Sequence, residues 1–363
     1  MKIKDLCSYA PKSRIKAREA ADNAKYLFFT SSADENKRYT DFQFNKEAII
    51  MGTGGNATLH YYNGKFSVST DCLVLLPNSK IKCKYLYYFF KSHMSVLEAG
   101  FKGAGLKHTN KKYIEEINIS EVPDLTTQEK IISHLDTISD NIEKINRELE
   151  LFDSLIKARF VEMFGDYLKD DRRPLSEVAK ITGGLTKNSN RNTFETKMPY
   201  LRVANVFYNM LDLREILEIG VKEEEIEKTL LQAGDLLFVE GNGSIEQIGR
   251  VAIWDGSIDP ILHQNHLIKA RFNNEIIAPE YALFYFMLQD GRQQIISKSV
   301  STSGLNTLSV NKVSSLLLPI PPIALQKQFS VFVKLVDKSK LAVQQSLEKT
   351  QQLFDSLMQE YFG

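Results

Sequence analysis

The sequence predicts an α/β (α+β) chain in which two globular domains, related by internal pseudo-two-fold symmetry, are separated by two long antiparallel helices forming a coiled coil. Three observations predict it. From Thr126 to Phe164, the apolar residues Ile131, Leu135, Ile138, Ile142, Ile145, Leu149, Phe152 and Ile156 follow one another at steps of four and three, between Lys, Glu, Asp, Asn and Ser. That spacing lays one apolar stripe along a helix and asks for a long partner helix rather than a globular core. The stretch Leu325 to Phe362 carries a second stripe, Phe329, Val333, Val336, Val343, Leu347, Phe354, Leu357 and Tyr361, interrupted by Lys340 and Thr350. The third observation is repetition. Leu151-Phe152-Asp153-Ser154-Leu155 returns as Leu353-Phe354-Asp355-Ser356-Leu357, both segments begin near a Gln (Gln128, Gln326), and both end in Phe-Gly. A period of roughly 180 to 200 residues is far longer than that of a solenoid and implies two copies of one plan.

This gives residues 1–122 and 166–322 to the globular domains and 123–165 and 323–363 to the helices. A chain of 363 residues, 43% of them hydrophobic, is long enough for two cores plus connectors. Its net charge is only +1, so any nucleic-acid surface must come from local clustering of the 46 Lys and Arg. Cys7, Cys72 and Cys83 are odd in number and lack metal-ligand spacing, which reads as reduced thiols in a cytoplasmic protein. No apolar stretch follows Met1-Lys2-Ile3-Lys4-Asp5, so no signal peptide is expected, and the long helices are too polar to span a membrane.

In the first domain, 25–30 and 48–51 read as strands, the second ending in the glycine loop Gly52-Thr53-Gly54-Gly55-Asn56. Asn63-Gly64, between apolar runs, signals a hairpin turn. Residues 72–76 form a strand stopped by Pro77, residues 85–97 an aromatic-rich helix, and Lys102 to His108 a basic, glycine-containing loop. The long helix then starts with the capping box Thr126-x-x-Glu129. The second domain replays the order. Tyr200-Leu201-Arg202-Val203-Ala204-Asn205 stands in the place of 26–31 as a strand. Gly234 to Phe238 leads into Gly241-Asn242-Gly243-Ser244, residues 281–287 echo 85–91, and Ser301 to Asn306 echoes 102–107.

These residues resemble the specificity subunit of type I restriction–modification enzymes. The resemblance is carried by Leu317-Leu318-Pro319-Ile320-Pro321-Pro322 with Gln326 beyond it, by the 200–205 segment, by Gly234-Asp235-Leu236-Leu237 and by the paired Phe-Asp-Ser-Leu helices, and it covers essentially the whole chain. It implies two target-recognition domains, each reading one half of a split double-stranded DNA site, on a non-catalytic chain. It implies that the two helices set the spacing and dock two methyltransferase subunits, which carry the S-adenosylmethionine, with restriction/translocase subunits in the full complex. No cofactor is then expected in this chain. In the first domain Phe28 stands where the second has Arg202, and Ser31 where it has Asn205, so those two contacts do not carry over.

The loops Gly52, Thr53, Gly54, Gly55, Asn56 and Gly241, Asn242, Gly243, Ser244 follow strands, and glycine there lets backbone N–H groups approach phosphate; the alternative is a pair of ordinary turns. Lys102, Lys107 and Lys298 supply charge for the second pair of loops, with Ser303 and Asn306, unless these are merely solvated. Arg202 and Asn205 have the chemistry for guanine and adenine edges, or form a strand-end hydrogen-bond pair; Gln264 and Asn265 are similar. Lys187, Asn188 and Arg191 form a polar loop suited to phosphate. The helix positions expected to form the spacer and meet partners are Leu135, Ile142, Leu149, Phe152, Val343, Leu347 and Phe354. His263 and His266 sit at a metal-like interval but lack Cys or acidic companions at set spacing.

Catalytic readings are weaker. Phe238-Val239-Glu240-Gly241-Asn242-Gly243 superficially resembles an S-adenosylmethionine loop, which should open into a helix. The Asn/Asp-Pro-Pro-aromatic signature of amino-methyltransferases is absent from the sequence. Pro123-Asp124 with Glu129 and Lys130 is the nearest approach to a nuclease motif, and it lies in a helix cap. A stand-alone methyltransferase or nuclease is therefore the runner-up. Each helix has room for roughly 35 residues, or roughly 50 Å, against about 34–36 Å between DNA half-sites one turn apart. From Gln326 to Leu353 is 27 residues and from Gln128 to Leu151 is 23, a difference of four, or about one helical turn.

Overall fold

A computed structural model describes residues 1–169, 172–302 and 304–363. The chain folds as two units, Met1–Arg147 with Gln344–Gly363, and Glu148–Val343, so each unit holds part of both long helices.

In the first unit, β1 (Cys7–Tyr9), β2 (Tyr26–Phe29), β3 (Arg38–Tyr39), β4 (Phe44–Gly52), β5 (Leu59–Val68) and β6 (Cys72–Pro77) form one sheet in the order β1-β6-β4-β5-β2-β3. Only β2 with β5 is parallel. The run Ala48–Met51 is apolar without alternation because both faces are covered. Ile49 and Met51 pack towards the helices Cys83–Ser92 and Met94–Ala99, while Ala48 and Ile50 pack with Phe29, Phe66 and Val68. The hairpin expected at Asn63-Gly64 does not form there. β5 runs through both residues opposite Lys46 and Glu47 of β4, and the chain reverses between Gly52 and Leu59. Gly64 takes a φ of 147°, so the Asn-Gly pair serves an extended backbone whose partner is a different strand.

In the second unit the strands are β7 (Arg172–Pro174), β8 (Ala179–Gly183), β9 (Lys197–Leu201), β10 (Val206–Phe207), β11 (Met210–Leu211), β12 (Leu217–Gly220) and β13 (Leu236–Val239). They continue with β14 (Gly241–Asn242), β15 (Val251–Ile253), β16 (Leu262–His263), β17 (Leu267–Phe272), β18 (Val300–Thr302), β19 (Leu305–Thr307) and β20 (Leu317–Pro319). The sheet β8-β17-β13-β15 repeats the order β1-β6-β4-β5, and β9 finds a parallel partner in β16 as β2 does in β5. The expected strand 200–205 is shorter than read. β9 stops at Leu201, and Val203–Asn205 forms a single 3-10 turn.

The long helices are Leu125–Phe164 and Ile323–Phe362. The first is capped by Asp124, not Thr126. Its Oδ1 accepts from the amides of Thr126 (2.9 Å) and Thr127 (3.0 Å), and its Oδ2 accepts from Thr127 Oγ1 (2.9 Å). The cap thus lies two residues earlier than read, with a carboxylate on the helix's free N–H groups. In the first unit His134 Nδ1 lies 3.0 Å from the Tyr361 hydroxyl, and Ile142 shares a small cleft with Gln351 and Phe354, so the two segments run antiparallel. In the second unit Lys340 meets Asp153 at 2.6 Å, and Phe164 lies against Phe329 with ring centroids 5.5 Å apart, again antiparallel.

The two glycine-free corners where these helices leave the globular parts are built alike. Gln128 is fully buried; its Oε1 accepts from the Lys82 amide at 2.8 Å, and its Nε2 donates to Pro123 O at 2.8 Å and Lys80 O at 3.3 Å. Gln326, also fully buried, accepts from the Ala278 amide at 2.9 Å and donates to Pro321 O at 2.8 Å and Ile276 O at 3.0 Å. One amide side chain in each unit ties the start of a long helix to the globular part.

Candidate nucleic-acid interface

In each unit the glycine loop and the later small-residue loop are brought together. In the first, Gly55 N donates to Lys107 O at 2.9 Å, Thr109 N donates to Thr53 O at 3.0 Å, and Lys102 and His108 exchange backbone bonds at 2.9 and 3.0 Å. Ser31 holds this pair in place. Its Oγ accepts from the amides of Thr53 (3.2 Å) and Gly54 (3.3 Å) and donates to Asp71 O (2.6 Å). Two glycines are needed for different reasons. A Cβ on Gly52 would stand 2.3 Å from Thr58 Oγ1 and 2.8 Å from Ser31 Cα, whereas Gly55 has open space but a φ of 83°. Asn56, Lys102 and Lys107 are exposed, and neither lysine has a carboxylate partner among the described residues.

In the second unit, Gly241 pairs with Thr307 and Asn242 with Asn306 across β14 and β19. Asn306 is 8% exposed, and its Nδ2 donates to Asn242 O and Gly243 O, both at 3.3 Å; it therefore joins the loops from inside. Ser244 is exposed, its amide turned onto Asn242 Oδ1 at 2.9 Å. Lys298, half-buried, ends the helix Gln289–Lys298 that leads to this hairpin. Ser303 lies outside the described residues. Because Gly241–Asn242 is a strand and opens into no helix, it lacks the shape of a cofactor-cradling loop. Likewise Asp124 is committed to its cap and Glu129 to Lys82, which leaves the nuclease-like acidic set structural.

The remaining candidates divide. Lys187 and Asn188 are exposed, and Leu185 bridges to Gln264, which sets that loop beside Gln264 and Asn265. The half-buried side chains of Gln264 and Asn265 make no hydrogen bond among the described residues. Gly184 permits the approach, since a Cβ there would fall 2.1 Å from His263 O. Arg191, by contrast, is 6% exposed, donating to Thr186 O and Gly220 O and forking onto Glu225 at 2.9 and 3.0 Å. The expectation that it reaches phosphate is corrected: it holds its loop. Asn205 is 3% exposed, accepting from the Arg202 amide and donating to Asp212 O (2.8 Å) and Glu215 O (3.0 Å). It has no free edge for a base and acts as the lock of the turn. Arg202 is more open but meets Glu215 Oε2 at 2.8 Å.

His263 and His266 part company. His266 is exposed, 2.8 Å from Glu240, whereas His263 is fully buried with Nδ1 2.8 Å from Thr229 O. Burial, then the neighbouring Lys269 charge, push His263 down to about 4. An unfolded histidine takes its proton near pH 6.5, so acidification through the window from about 6.5 to 4 favours the unfolded chain. Between pH 7 and pH 5 we expect about 2 kcal/mol of lost stability from this residue. Urea unfolding at both pH values, compared with His263→Gln, checks it; an unchanged pH dependence in the variant refutes the assignment. Cys7, Cys72 and Cys83 are buried free thiols, and burial pushes Cys72 up to about 11 and Cys7 up to about 12.

Of the helix positions, Leu135 and Phe354 are covered within their own unit, so they cannot face another protein. Ile142, Leu149, Phe152, Val343 and Leu347 are half-buried. The exposed apolar residues lie off the stripe, chiefly Leu151 (67%), Leu335 (61%) and Val331 (59%), and the regular spacing hid them. Among the described residues no helix is long and apolar enough to cross a membrane, and no His/Cys/Asp/Glu group has a metal-holding arrangement.

Two α/β units of like strand order each carry one glycine-loop surface, and each holds part of both long helices. The chain belongs to the type I restriction modification DNA specificity domain family, whose model matches residues 1–151 and 171–352. It is 24% identical over 309 residues to the EcoKI type I restriction enzyme specificity subunit of Escherichia coli, covering 77% of this chain and 65% of that one. It is 28% identical over 209 residues to the MjaX specificity subunit of Methanocaldococcus jannaschii, covering 57% and 48%. The chain thus spans about half to two thirds of the length of these curated relatives. The crystal structure of a type I restriction–modification S subunit from M. genitalium superposes with a TM-score of 0.63 at 17% identity, covering 100% of this chain and 95% of that one, a likeness of fold.

Proposed function

We propose that this chain is the DNA sequence-recognition subunit of a type I restriction–modification complex. Each unit reads one half of a split, asymmetric site. The observation that carries this reading, beside family membership, is that both units bring a glycine loop and a distant small-residue loop into hydrogen-bonded contact at equivalent places. Exposed Lys102, Lys107 and Lys187 supply phosphate contacts, and Gln264 and Asn265 have free side-chain amides for base edges. Functionally the chain divides as 1–122, 123–165, 166–322 and 323–363, two heads and two spacer helices. The exposed apolar residues of the helices meet two methyltransferase subunits, which bring S-adenosylmethionine, and restriction/translocase subunits join them; this chain directs adenine methylation and supplies no catalytic step of its own.

Mapping of methylated adenines across a host genome, with and without this chain, tests the reading. One asymmetric two-part motif with a fixed gap should disappear with the chain. A continuous palindrome, or a methylome that does not change, refutes it.

A further inference from the structure

Among the arginines of the second unit, Arg159, Arg172, Arg191, Arg202, Arg214 and Arg271 each meet a carboxylate, at distances between 2.6 and 3.0 Å, and Arg173 is exposed. Arg250 and Arg292 meet none among the described residues, although both are partly buried. They sit on neighbouring aromatics: the guanidinium of Arg250 is 5.1 Å from the Phe207 ring, and that of Arg292 is 5.5 Å from the Tyr208 ring.

Their commitments differ. Arg292 donates to three carbonyls of one loop, those of Ile245, Glu246 and Ile248, and the Tyr208 hydroxyl donates to the same Glu246 carbonyl at 2.6 Å. Arg250 makes only two bonds, both long at 3.4 Å, to Val203 O and Gln247 Oε1, and its Nε is buried without a partner among the described residues. A guanidinium has five N–H donors, so most of this one's capacity is unspent. Burial lowers the proton affinity of both groups, but an arginine stays charged. A partly desolvated cation without a counter-charge is costly, and an external anion offsets that cost. The location selects the anion. Arg250 bridges the 3-10 turn after β9, the strand whose Leu201 O accepts from the Gln264 amide at 2.9 Å, and the loop that continues from Gly241–Ser244, so it joins two of the candidate DNA-contacting segments of this unit.

We propose that Arg250 seats a DNA backbone phosphate in the second unit, with Phe207 holding its plane and with Arg292 and Tyr208 as positioning residues for the adjoining loop. The proposal rests on the DNA-reading role above. A flat fork of donors fits two phosphate oxygens, and the ring beneath it limits rotation.

The test is the salt dependence of binding by the full chain to a mixed-sequence duplex, for wild type, Arg250→Gln, Arg250→Lys and the exposed control Arg214→Gln. Loss of one phosphate contact should lower the slope of log K against log salt by about 0.9 in Arg250→Gln. Arg250→Lys should keep the wild-type slope, as should Arg214→Gln. A reduced folded fraction lowers apparent affinity at every salt concentration but not the slope, so the readout survives a destabilised variant. A wild-type slope in Arg250→Gln, beside a wild type that binds steeply, overturns the seat and leaves the DNA role standing; a lowered slope in Arg250→Lys overturns the charge contact. A wild type without salt-dependent binding overturns both.

Discussion

Gln326→Leu is expected to destabilise the chain by about 3–6 kcal/mol, the largest single-residue effect we foresee, because it strips partners from three backbone groups at once. The side chain is nearly isosteric, so little cavity energy is mixed in. The stripped groups are the Ala278 amide and the carbonyls of Ile276 and Pro321. Ala278 is only 5% exposed and Pro321 is buried, so water cannot replace the lost bonds without opening the helix start. Gln128→Leu makes the same chemical change at the matching place with a smaller expected cost of about 1–2 kcal/mol. There Lys80 is exposed and Lys82 and Pro123 are half-buried, so solvent can satisfy much of what the side chain releases. Denaturant unfolding combined with amide exchange resolved along the chain separates the two variants. Equal losses, or a loss under about 1 kcal/mol for Gln326→Leu, defeat the claim that buried polar satisfaction holds these corners.

The parts of the molecule legible in its sequence are those whose physics is local. A stripe at steps of four and three needs only one helix to express it, and both long helices form over the striped segments, beginning one and two residues before the read starts, at Leu125 and Ile323. The glycine loop of the first unit was legible because Gly52 lies against Thr58 and Gly55 takes a positive φ, both within one short segment. The hairpin at Asn63-Gly64 failed for the opposite reason. The signal is local, but the strand's partner is β4, more than ten residues back, and pairing overrides the turn preference. Arg191, Arg202 and Asn205 have the right chemistry for nucleic acid, and only tertiary contacts with Glu225, Glu215 and Asp212 reveal how it is spent. Arg250 gave no sequence signal, since its surroundings are assembled from residues 203, 207 and 247.

Four residues inserted into each long helix, after Ile145 and after Leu347, are expected to lengthen the gap in the DNA motif while leaving both half-motifs unchanged. Four residues add about 6 Å of helix, and DNA rises about 3.4 Å per base pair, so the gap should grow by roughly two base pairs. The insertion adds one step of four to stripes that already alternate fours and threes, a mild unwinding that keeps the apolar seam almost in phase. Both helices must be lengthened. Within the second unit Asp153 meets Lys340 and Phe164 meets Phe329, and an insertion in one helix alone slides every such pair by a turn. Such a single insertion is expected to abolish methylation. The half-motifs should be indifferent to the double insertion because the glycine loops and the Gln264-Asn265 segment all lie outside the long helices. Methylome mapping of the double-insertion chain reads both quantities in one experiment. An unchanged gap removes the helices' role as a ruler, and altered half-motifs would mean that the long helices take part in reading the bases.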